Sequence, residues 1–109
     1  MERPITCYIR YVVDQDKLAE FEIYCRMWLD LLPRFGGTHH GYFLPSEGES
    51  DIALSLFSFP SLSAYEEYRV KSASDPDVAK AMAYYKSTRC FLRYERSFFR
   101  PVLSALDQI

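Results

Sequence analysis

Residues 5–13, ITCYIRYVV, alternate with a period of two, and the segment directly behind them repeats every three to four residues. That switch of period fixes one strand followed at once by one long helix. In the strand, Ile5, Cys7, Ile9, Tyr11 and Val13 share a face, and Thr6, Tyr8, Arg10 and Val12 share the other. Asp14-Gln15-Asp16 interrupts the alternation and supplies a helix N-cap with negative charge at the positive helix end. Leu18, Phe21, Cys25, Trp28, Leu32 and Phe35 then form one apolar stripe. Pro33 is expected to loosen the last turn, and Gly36-Gly37 to end the helix in the left-handed region.

The remainder extends the order. Residues 39–45 read as a second strand and residues 52–59 as a third, with a polar turn containing Gly48 between them, a hairpin pattern. Pro60-Ser61 opens a helix capped by Ser61, or by a box of Ser63 with Glu66. Asp75-Pro76-Asp77 starts another, with Pro76 at the first helical position, followed by Val78, Met82, Tyr85 and Arg89. Residues 90–100 read as a fourth strand, closed by Pro101, with a short tail behind it. The order β-α-β-β-α(α)-β is the ferredoxin-like split arrangement, an α+β fold with a four-stranded antiparallel sheet and helices on one face. The length of 109 residues fits one domain, with its core over about 5–101.

Neither face of that sheet is cleanly polar. The third strand sets Ala53, Phe57 and Phe59 on one side and Ile52, Leu54 and Leu56 on the other. Nine Tyr, eight Phe and one Trp are a large apolar load for so short a chain, and many of them fall on strands. An apolar second face on an antiparallel sheet is an interaction surface, and its simplest cover is a second copy of the same sheet. A homodimer, or a higher assembly built on it, is therefore expected.

The ordered set YVVDQDKLAEF, GGTHHGYFLPSEG, ALSLFSFPSLSAYEEYR and YERSFFRP, spread over about residues 5–101, resembles the NIPSNAP family. That family is similar to the dimeric α+β barrels, in which two ferredoxin-like protomers pack sheet against sheet, so the resemblance implies the same homodimer. The wider superfamily includes monooxygenases, haem-degrading enzymes and isomerases, often with a pocket between sheet and helices. The resemblance carries over no catalytic residue, and fold analogy alone does not give a function.

Several classes of function find no support in the residues. The net charge of −2, with scattered basic groups, offers no footprint for nucleic acid. No apolar run approaches the ~20 residues of a membrane span. The first ten residues, MERPITCYIR, have no apolar core, so no signal peptide and a cytoplasmic location are expected. Cys7, Cys25 and Cys90 are odd in number, lack CxxC spacing and lie in apolar segments, which predicts reduced, buried thiols. No GxSxG and no phosphate-binding glycine loop occur. No metal or cofactor is expected: adjacent residues of an extended strand point to opposite faces, so His39 and His40 cannot share an ion, and the aromatic walls that would suit a haem on one histidine suit packing equally well.

One of those histidines must face the helices, where it is a candidate acid or base. Regular alternation groups His40 with Tyr42 and Leu44, and His39 with Gly41 and Phe43. The catalytic candidates are His39, His40, Arg93 and Glu95. The ligand-binding candidates are Tyr8, Arg10, Tyr42, Tyr94 and Arg96. A cleft with Arg, Tyr and His suits a small acidic or aromatic compound. Two readings follow: a homodimeric module that binds a small molecule between sheet and helices, or a cofactor-independent enzyme, monooxygenase- or isomerase-like, acting on an aromatic or conjugated compound.

Overall fold

The computed structural model describes residues 3–48 and 51–102. Strand β1, Ile5–Val13, lies in the middle of a four-stranded antiparallel sheet. It pairs on one side with β3, Ile52–Phe59, and on the other with β4, Phe91–Phe99. The sheet order is β2-β3-β1-β4, with β2 spanning Thr38–Phe43. Helices α1, Leu18–Leu31, α2, Leu62–Ser72, and α3, Pro76–Thr88, complete the order. This is the ferredoxin-like α+β arrangement that the periodicities predict.

The local signals act as expected. Asp14 accepts a hydrogen bond from the Asp16 N–H and caps a 3-10 turn, Gln15–Lys17, that leads into α1. Past Leu31 the helix tightens into a second 3-10 turn, Leu32–Phe35, because Pro33 cannot supply an N–H. Gly36 ends it with φ +88°, a conformation that costs residues with a Cβ. Of the two caps open for α2, Ser61 is the one used, accepting from the Ala64 N–H. Asp75 caps α3 by accepting from the Asp77 and Val78 N–H groups, and Pro76 follows at the first helical position.

The core lies on the helix side of the sheet. Cys7, Ile9, Tyr11 and Val13 of β1, with Ala53, Phe57 and Phe59 of β3, are buried against Phe21, Tyr24 and Cys25 of α1 and Tyr65 and Tyr68 of α2. Phe21 is wholly buried and packs against the rings of Tyr11, Tyr42 and Phe91. A smaller cluster of Leu31, Val78 and Ala81 joins α1 to α3. The three cysteines are unpaired and buried, and burial raises all three thiols, Cys7 to about 11, which keeps them protonated.

Among the described residues no helix covers the opposite face. There Tyr8, Arg10 and Val12 run alongside Ile52, Leu54 and Leu56, with Phe43 and Phe99 at the two edges. Phe43 and Phe99 are each more than half exposed. β4 is buried only at Phe91.

Candidate functional site

Between the helix-side face of the sheet and the three helices lies a cavity of about 680 Å³. Its floor is made by β1 and β3 through Ile9, Tyr11 and Phe57. β2 contributes His39 and Tyr42, β4 contributes Phe91, Tyr94 and Arg96, and the helices contribute Tyr24, Trp28, Tyr65, Tyr68 and Arg69. The wall is mainly aromatic, a lining typical of small-molecule sites.

The two histidines part company through an irregularity in β2. His39 is level with Phe57, but the next step of the ladder pairs Gly41 with Leu56, so His40 is an extra residue. Gly41 takes φ +118°, which residues with a Cβ rarely adopt. This β-bulge overturns the grouping expected from regular alternation. His39 shares the helix side with Tyr42, stacked at 4.8 Å between ring centroids, and His40 turns to the uncovered face with Gly41 and Phe43. There His40 Nε2 lies 2.7 Å from Ser58 Oγ, which is itself 2.7 Å from Thr6 Oγ1.

The same bulge sets the chemistry of His39. Gly41 N–H donates to His39 Nδ1 at 2.9 Å. Burial, reinforced by the charge on His40, lowers the His39 pKa from 6.5 to about 4. The ring is therefore neutral at pH 7 with its proton on Nε2, which sits 3.5 Å from Ser55 Oγ, a loose contact. With Nδ1 engaged and no carboxylate among the described residues of the cavity wall, His39 is a hydrogen-bond donor rather than the base that its position suggests.

A pH dependence follows. The folded protein refuses a proton that the unfolded chain accepts below about pH 6.5, so stability is intact above that value and falls as pH drops toward 4. Because the ring is partly exposed, its share is reduced by solvent screening to about 1 kcal/mol. Thermal melts from pH 7 to 4 are expected to fall less steeply for His39→Gln than for the parent. Parallel slopes would contradict this account of the ring.

At the β4 end, two guanidinium groups converge on one hydroxyl. Arg69 Nη1 donates to Tyr65 Oη at 2.9 Å, and Arg96 Nη1 donates to the same oxygen at 3.2 Å. Each guanidinium also lies near a ring, Arg69 over Tyr65 and Arg96 over Tyr94. Neither has an ion-pair partner among the described residues. Deeper in, the Trp28 indole N–H is buried with no hydrogen-bond partner. It lies near enough to Tyr24 to favour that phenolate, short of a hydrogen bond, yet burial still raises the Tyr24 pKa. Burial likewise raises Tyr11 and Tyr42 well above the ordinary range and Tyr68 to about 12, so all four are neutral phenols.

Of the residues singled out from sequence, His39, Tyr42, Tyr94 and Arg96 come together in the cavity. Arg93, level with Val12, reaches its rim. Tyr8, Arg10, Glu95 and His40 do not join them. Arg10 and Glu95 are register partners on the uncovered face, and Tyr8 lies there against Phe99. Tyr65, Tyr68 and Arg69 are not singled out by the sequence motifs, although their offsets of three and four residues place them on one face of α2. Among the described residues no group of three His, Cys, Asp or Glu side chains is placed to hold a metal ion, and no helix is long and apolar enough to cross a membrane.

The NIPSNAP family model matches residues 7–105. The chain belongs to the NIPSNAP family. No curated protein matches the sequence. A NIPSNAP family protein of unknown function from Agrobacterium tumefaciens superposes with a TM-score of 0.79 at 16% identity, over 96% of this chain and 95% of that one. An uncharacterised NIPSNAP-like domain protein from Burkholderia xenovorans gives 0.74 at 16% identity, over 94% and 88%. The fold extends beyond NIPSNAP proteins: SnoaB, a cofactor-independent oxygenase from Streptomyces nogalater, gives 0.66 at 14% identity, over 94% and 97%.

Proposed function

We propose that this NIPSNAP protein is a homodimer that binds a flat, conjugated small molecule in each protomer, between the sheet and the helices. The aromatic cavity of about 680 Å³ carries the reading, because its volume and lining match those of small-molecule sites. The uncovered apolar face of the sheet supports the homodimer. Titration calorimetry with 2-naphthamide, a neutral planar probe, tests the cavity. One binding event per protomer is expected, abolished by Ala73→Trp, which sets an indole on the cavity wall. Absence of heat with every naphthalene derivative up to its solubility limit would sink the reading.

A second reading, cofactor-independent catalysis on a conjugated compound, is favoured by the fixed tautomer of His39 and by the likeness to SnoaB. A neutral Nε2–H with its partner Ser55 at loose range is suited to steadying an oxyanion that develops on a bound substrate. In that reading His39 stabilises charge, and Arg69 and Arg96 orient the substrate.

A further inference from the structure

Among the described residues, every charged side chain on the cavity wall is an arginine. Arg69 and Arg96 meet at Tyr65, Arg93 stands at the rim, and no described Asp or Glu lines the space. The polar groups deeper in are matched to the same kind of guest. The Trp28 N–H is buried without a partner, and the His39 Nε2–H holds only a long contact to Ser55. The Tyr65 oxygen accepts from both arginines, which leaves its own O–H free to donate. Two guanidinium groups on a single hydroxyl repel one another, and the nearest favourable third party is a negative charge. Their field is felt by the neighbouring groups: it opposes the burial that raises the Cys7 thiol and the Tyr68 hydroxyl. Arg69 and Arg96 are exposed residues whose guanidinium contacts to Tyr65 are part-buried, so an anion held there keeps part of its hydration while an attached apolar body enters the aromatic interior.

Building on the cavity reading above, we propose that the natural ligand is a planar conjugated anion, with its carboxylate or enolate oxygen held by Arg69, Arg96 and the Tyr65 hydroxyl at the mouth. The conjugated body lies among Tyr11, Phe57 and Tyr94, and a second acceptor at its far end meets the N–H groups of His39 and Trp28. The ligand thus carries a charged head and a carbonyl-type oxygen on one rigid frame.

Paired probes separate this from the cavity reading on which it rests. Calorimetry with 2-naphthoate and with 2-naphthamide compares an anion with its neutral counterpart. Naphthoate is expected to bind about tenfold or more tightly than the amide, consistent with charge-assisted hydrogen bonds. Arg69→Gln and Arg96→Gln should each remove most of that advantage, so that naphthoate affinity falls toward that of the amide. Both side chains are exposed, so neither variant should fail to fold, and circular dichroism checks this. Arg26→Gln, which removes a guanidinium paired to Glu22 on the outside of α1, controls for net charge and should change nothing. Equal affinity for the two probes, or an advantage that survives both cavity variants, overturns the anion assignment and leaves the cavity reading standing. Failure of both probes overturns the two together.

Discussion

Replacing Phe21 with alanine is expected to cost about 3–5 kcal/mol, the range for deleting a buried aromatic ring. Phe21 is fully buried, and its ring touches one element after another: Tyr11 of β1 at 5.2 Å between centroids, Tyr42 of β2 at 6.3 Å and Phe91 of β4 at 6.1 Å. It is the post on which α1 rests against three strands. Small domains hold only about 5–15 kcal/mol in total, so the loss takes a large fraction of it. The melting temperature should fall by roughly 12 °C or more. The damage should reach the site as well, because Tyr11, Tyr42 and Phe91 all line the cavity and lose their backing together. A melt that shifts by only a few degrees would mean that the ring is not the keystone its contacts describe.

The second large effect concerns assembly. Leu54 stands in the middle of β3 on the uncovered face, level with Arg10 on one side and Phe43 on the other. Leu54→Arg sets a second positive charge beside Arg10 in a seam that the proposed dimer makes dry. Leaving a charge buried and unpaired costs about 3–5 kcal/mol, and two-fold symmetry imposes it twice. The dimer dissociation constant is expected to rise by at least about 10⁴-fold. Sedimentation at micromolar concentration should therefore give a dimer for the parent and a monomer for the variant, with unchanged far-ultraviolet circular dichroism. A parent that sediments as a monomer refutes the sheet-to-sheet pairing. A variant that remains dimeric places the interface elsewhere.

Much of the fold is legible in the chain because its signals are local and redundant. β1 follows its alternation from Ile5 to Val13, and the cap at Asp75 with Pro76 marks the start of α3. The two sides of the sheet are also legible, since Leu54 and Phe57 alternate without interruption on β3. The site is less so. Alternation presumes a regular ladder, and the extra residue at His40 moves Tyr42 to the side of His39. Its one trace in the sequence is Gly41, which reads equally well as an ordinary small residue in a strand. The α2 contribution is hidden for a different reason. LSAYEEYRVKS has no aliphatic stripe, and tyrosines among charges suggest a solvated helix until the opposing aromatics of β3 are known. The meeting of Arg69 with Arg96 joins residues far apart in sequence, and no local rule connects them.

The strand order has a consequence for how the chain comes into being. β1 is made before the rest of its sheet, yet it is a central strand, and its two neighbours are β3 and β4. Until residues 91–99 have left the ribosome, one edge of β1 stays open, with Ile9 and Tyr11 lacking their outer wall. The nascent chain must carry an unfinished apolar strand until β4 emerges, and the closure joins segments separated by nearly the whole described length. Slow completion and a need for protection from wrong partners during that interval are built into the topology.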